Sequence, residues 1–168
     1  MVYIGEIVNT HGLKGELRVV SEFKYKDAVF IIGKKVYLGK RKQEAIIKSY
    51  RQHKNYDMII FEGINDINEA IIFKSDDVFV KREDLDIDGY VDEDLIGLKV
   101  YDKDKLIGIV DNVIKNKQDI LVVINRKKSH MIPFVDEFIE NIDIENKRID
   151  IKVIEGLLNE NWYFNTFS

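Results

Sequence analysis

Apolar and polar positions along most of this chain follow a period near two, the pattern that puts alternate side chains on opposite faces of a strand. The signal is clearest late in the chain, where Ile149, Ile151 and Val153 alternate with Arg148, Asp150 and Lys152. Near the start, Leu17 and Val19 alternate with Glu16 and Arg18 in a strand over 15–20. Val2 to Val8 is mostly apolar and β-prone, and the stretch Asn9 to Gly15 between these strands reads as a turn. Gly33-Lys34-Lys35 turns into a strand at Val36 to Leu38, and Gly39 to Lys42 is a basic turn. Residues 44–53 and 56–62 pair as a hairpin across Lys54-Asn55. Tyr25 to Ile32 fits neither period. One short helix is expected after Asn65 or Asp66, either of which can cap it, with Ile67, Ala70 and Ile71 on one face. Val78 to Val80 returns to a strand. Many short strands with one helical turn predict a small closed barrel.

The second half is again strand-rich. Leu98 to Tyr101 meets Leu106 to Val110 across the turn 102–105, and Ile120 to Ile124 reads as a central buried strand. Pro133 cannot donate to a ladder, which places it at an edge or a strand end. Residues 142–144 and 149–153 form a further hairpin. Between the halves, residues 83–94 (EDLDIDGYVDED) hold seven carboxylates and no cation, the composition of a solvated linker. The expected fold is therefore mostly β: residues 1–82, an acidic linker at 83–94, and residues 95–168 with an aromatic tail, Trp162 to Phe167. Aromatic residues of this kind can stack on RNA bases, but the tail is expected instead to cap a domain or fray.

Charge adds an asymmetry to this picture. The chain carries a net charge of −4, but residues 1–82 hold 15 Lys and Arg against 11 Asp and Glu, and residues 83–168 hold 11 against 19. A basic half suits phosphate and an acidic half suits a basic protein, although both could be merely solvated surfaces. With no cysteine there are no disulfides or thiolate metal sites. No apolar run reaches the length of a membrane span and no secretory signal opens the chain, so a cytoplasmic protein is expected.

Enzyme chemistry finds little support. His11, His53 and His130 are scattered, and no HExxH or G-x-S-x-G pattern occurs. Asp86, Asp88 and Gly89 only partly echo a calcium loop, so no metal and no cofactor are expected. Gly12-Leu13-Lys14-Gly15 fits the GXXG clamp of KH domains in letters, but it joins two strands instead of two helices. What remains is a Gly-rich hairpin that presents His11 and Lys14, with Arg18 in the departing strand, as a binding loop. A turn of this kind is most often only a turn.

Taken together, the residues resemble the RimM family of bacterial ribosome maturation factors. The resemblance is strongest in His11-Gly12-Leu13-Lys14-Gly15-Glu16-Leu17-Arg18-Val19. It continues through Phe61-Glu62-Gly63-Ile64, Glu69-Ala70, Asp94-Leu95-Ile96-Gly97, Gly108, Ile132-Pro133-Phe134-Val135 and Gly156-Leu157-Leu158. It implies two β-barrels, one similar to the barrel beside the GTPase domain of translation factors, the other similar to the PRC barrel. It also implies a non-enzymatic factor that binds the immature small ribosomal subunit and assists folding of the head (3′ domain) of 16S rRNA. The implied partners are that RNA and the small-subunit head protein numbered nineteen. The implied contacts are His11, Gly12, Leu13, Lys14, Gly15 and Arg18, together with Tyr90, while Asp94, Leu95, Ile96, Gly97 and Pro133 are structural. Tyr90 stands where the family has the first of two adjacent aromatics, and Val91 stands at the second. Monomer is the default state. A general RNA-binding barrel, with a steep salt dependence, and an RNA-processing enzyme are the competing classes; the negative net charge disfavours the first and the missing catalytic constellation the second.

Overall fold

The structure, a computed structural model, describes residues 1–126 and 128–152. The chain divides into two compact units between Asp88 and Gly89. This boundary falls inside the acidic segment. Asp86, Asp88 and Glu93 in that segment are exposed, whereas Leu85 and Val91 are buried.

The first unit is a closed six-stranded barrel. Its strands are β1 (Val2–His11), β2 (Glu16–Val20), β3 (Lys35–Leu38), β4 (Gln43–His53), β5 (Tyr56–Phe61) and β6 (Asp77–Val80), in the order β1-β2-β5-β4-β3-β6. β6 closes the ring by pairing Val80 with Val2. Closure removes the free edges that a small sheet would otherwise expose. The core is made by alternate positions: Ile4, Ile7, Leu17, Val19, Val36, Ile47, Ile59, Val78 and Val80 are all essentially inaccessible.

Two local expectations change here. Asn9, Thr10 and His11 belong to β1, opposite Arg18, Leu17 and Glu16, so the turn is confined to residues 12–15. Ladder partners on β2 outweigh the turn preference of Asn9. The helix α1 (Ile67–Ala70) is capped by Asp66, whose Oδ1 accepts the Glu69 N–H at 2.9 Å. It gives way at once to a 3-10 turn over Ile71–Phe73, which buries Ala70 and Phe73 and leaves Ile71 exposed. The ambiguous 25–32 stretch contains a 3-10 turn, Lys26–Ala28, followed by buried Val29 and Phe30.

Among the described residues the second unit holds α2 (Asp92–Leu95) and six strands. These are β7 (Lys99–Asp102), β8 (Lys105–Ile114), β9 (Ile120–Asn125), β10 (Lys128–Pro133), β11 (Ile139–Asp143) and β12 (Arg148–Ile151), in the order β10-β9-β8-β7-β12-β11. β9 lies inside the sheet, and Ile120 to Val123 are all buried. Pro133 ends β10, an outer strand, where its missing N–H costs no ladder bond. β12 pairs with β7 in parallel, which the local pattern did not suggest. The aromatic tail, Val153 and Gly156-Leu157-Leu158 lie outside the described residues. Among the described residues no helix is long and apolar enough to cross a membrane.

Candidate functional site

The β1–β2 hairpin brings six of the candidate residues together. Its turn requires glycine, with φ at +77° for Gly12 and +91° for Gly15. A Cβ on Gly15 would lie 2.9 Å from the Asp66 carbonyl oxygen and 3.2 Å from Ile64 Cγ2, whereas one on Gly12 would meet nothing within 4 Å. The Leu13 carbonyl also accepts the Ile67 N–H at 3.0 Å. The start of α1 therefore pins the hairpin, and Leu13 (80 % exposed) and Lys14 are held out from it. Gly12→Ala is expected to cost about 1 kcal/mol, the strain of a left-handed alanine. Gly15→Ala adds a backbone clash, for a total of about 3 kcal/mol. Urea denaturation of the two variants checks this; equal losses would mean that α1 does not pin the turn.

Arg18 has partners of its own. Its Nη2 donates to His11 Nδ1 at 2.8 Å, and its guanidinium lies 5.5 Å from the Tyr56 ring centroid. The His11 ring lies 5.8 Å from the ring of His53. On β4, Arg51 donates through Nε and Nη2 to both oxygens of Glu16, at 2.9 and 2.7 Å. Met58 is the cross-strand partner of both Arg18 and Arg51, so the two arginines flank it on one face. Met58 is completely buried although that face is opposite the core residues Leu17 and Ile59, because long polar side chains cover it. The Arg51 hydrogen bonds hold the Glu16 carboxyl below its ordinary range. Burial, then the charges of Arg51 and Lys54, push the His53 imidazole down.

Sequence reasoning found His11 and Arg18 but missed Arg51, His53 and Tyr56. Period two places 51 and 53 on one face of their hairpin, but not beside β2. The basic turn 39–42 is only partly available to a partner. Lys42 Nζ sits 4.0 Å from the Phe79 ring centroid and donates to the Gly39 carbonyl at 3.2 Å, while Lys40 and Arg41 are exposed.

A second polar cluster is structural. Asp57 is fully buried, accepting from Lys26 Nζ at 2.8 Å and from the Tyr50 hydroxyl at 2.6 Å. The Tyr50 ring stacks on Phe30 at 5.6 Å between centroids. Burial, together with the bond to Asp57, pushes the Tyr50 hydroxyl far above its ordinary value. The signal for it in the sequence was one carboxylate in the apolar run Tyr56 to Phe61.

The remaining candidates lie in the second unit. Tyr90 is half-buried and packs on the core cluster that includes Leu95 and Ile132. The Val91 N–H donates to Asp94 Oδ2 at 3.0 Å, and Val91 is itself buried, so this position packs inward. Leu95 is inaccessible and Ile96 is half-exposed. The Gly97 N–H donates to the Val110 carbonyl at 2.8 Å, tying α2 to β8. No grouping of His, Asp and Glu fit to hold a metal ion occurs among the described residues.

A closed barrel with a glycine-set hairpin and a half-buried basic and aromatic wall, followed by a second, mostly β unit, defines a mostly β protein of two compact units. Comparison with known proteins makes the assignment particular. The RimM N-terminal domain matches residues 2–85, and the RimM PRC barrel domain matches residues 92–157. The ribosome maturation factor RimM of Staphylococcus epidermidis is 37% identical over 164 residues, covering 94% of this chain and 98% of that protein. The Bacillus pumilus protein of the same name is 35% identical over 170 residues, covering 94% and 96%. The chain belongs to the RimM family. A crystal structure of a RimM protein from Pseudomonas aeruginosa aligns over 92% of this chain and 98% of its own, with 23% identity and a TM-score of 0.46.

Proposed function

We propose that the protein is a non-enzymatic ribosome assembly factor in the cytoplasm. It binds the immature small ribosomal subunit and assists maturation of the head (3′ domain) of 16S rRNA, together with head protein number nineteen. It works as a monomer without a cofactor. Family membership supports the ribosomal role. The observation that carries the binding reading is the pinned hairpin, which holds Lys14 exposed on its turn with Arg18 in the strand that leaves it, in the half of the chain with excess positive charge. Lys14 and Arg18 engage RNA phosphate, giving affinity that is salt-sensitive and largely independent of sequence. His11, Gly12, Leu13 and Gly15 shape that contact, and Tyr90 with the acidic second half faces the basic protein partner. A factor of this kind acts by binding one fold of the head better than its competitors.

Co-sedimentation of the purified protein with immature small subunits, mature small subunits and large subunits is the direct test. Selective pelleting with the immature particle is expected. Equal binding to all three, or binding to none, would overturn the proposal.

A further inference from the structure

Three side chains far apart in sequence meet on the wall of the first barrel. His11 ends β1, Arg18 lies in β2 and His53 ends β4. We propose that His11, Arg18 and His53 form one receptor for a backbone phosphate of RNA, extending the hairpin's contact from the turn onto the barrel wall. This rests on the RNA-binding reading above and adds a ligand class and residues to it.

Arg18 Nη2 and His11 Nδ1 share a hydrogen bond. A guanidinium can only donate, so Nδ1 carries the lone pair and the neutral ring keeps its proton on Nε2. His11 is thereby fixed as an N–H donor. Arg18 Nε is buried and has no hydrogen-bond partner among the described residues. His53, 5.8 Å from His11 between ring centroids, supplies a further donor. The groups around these three are Lys14 in the turn, Glu16 on β2, Arg51 on β4, Lys54 in the next turn and Tyr56 on β5. Glu16 is the one carboxylate of this group, and Arg51 occupies both of its oxygens. The positive charge of Arg18 is therefore left for an external anion. The buried Met58 beneath lowers the local dielectric and strengthens that attraction.

A bound phosphate also links affinity to protons. A phosphodiester keeps its charge near neutrality, and that charge favours an imidazolium. Protonating His11 at Nδ1 would break its bond to Arg18, so His53 takes the proton. Its midpoint is then higher in the complex than in the free protein. The extra affinity is fully present below the free-state midpoint and is lost as the pH rises through the bound-state one.

The test is an NMR titration of both imidazole side chains in the full chain, with and without a short polyuridine oligonucleotide. The His53 midpoint is expected to rise by about one pH unit in the complex. The oligonucleotide should bind about threefold to sixfold more tightly near pH 6 than near pH 8. His53→Gln should abolish that pH dependence while leaving the unfolding temperature unchanged. Binding that perturbs only the Lys14 hairpin and leaves both histidine titrations in place would overturn the receptor, as would no binding of the oligonucleotide at all. Neither outcome touches the assembly role, which co-sedimentation tests separately.

Discussion

Replacing Asp57 by alanine is expected to destabilise the first unit by about 3 kcal/mol. Asp57 is inaccessible and holds two partners, Lys26 at 2.8 Å and the Tyr50 hydroxyl at 2.6 Å. Removing the carboxylate strands both. The Lys26 side chain is 30% exposed, so water recovers part of its charge, and the cost falls at the low end for a broken buried pair. The Tyr50 hydroxyl loses its acceptor while its ring stays stacked on Phe30. Asp57→Asn keeps an acceptor for Tyr50 and should cost about half as much. Urea denaturation followed by amide exchange in β2 and β5 measures both variants. A loss under about 1 kcal/mol for the alanine variant would mean that the network contributes little. The network reaches from β4 and β5 to the Lys26–Ala28 turn, so its loss should also loosen the β2–β3 connection.

The second large effect is on binding. The double variant Lys14→Ala with Arg18→Ala is expected to lose about tenfold or more in affinity for immature small subunits at moderate salt. The slope of affinity against salt should fall by about one for each phosphate that is no longer engaged. The structure separates the two residues. Lys14 is exposed on the turn, so its removal should leave unfolding unchanged. Arg18 covers Met58, bonds His11 and lies over Tyr56, so its removal should also cost about 1 kcal/mol of stability. Competition sedimentation at several salt concentrations, with thermal unfolding of each single variant, distinguishes charge from packing. Unaltered binding by the double variant would sink the assignment of the hairpin.

Much of the fold was legible because its information is local. The alternation in Arg148 to Ile151 puts Ile149 and Ile151 in the core, and the uninterrupted Ile120 to Ile124 run lies in a strand flanked on both sides. Pro133 fell at a strand end for the reason its chemistry dictates. Boundaries were less legible. Asn9 to His11 read as turn residues, yet β2 offers each a ladder partner. Leu85 and Val91 sat in a segment whose charge density suggested solvent, but burial is decided residue by residue. Val91 stands where the family resemblance pointed to an aromatic contact, and here it packs inward beside the α2 cap.

Residue order alone sufficed for the β character, the hairpin with its two glycines, the division of charge between the halves and the family resemblance. Each depends on residues within a few positions of one another, or on composition. Three-dimensional pairing was needed to bring Arg18 to His11, Tyr56 and His53, to seat Arg51 on Glu16, and to bury Asp57 with Lys26 and Tyr50. Those contacts depend on β2 lying between β1 and β5 and on β5 pairing with β4. Strand order is set by how the whole apolar set buries itself, and no local pattern encodes it.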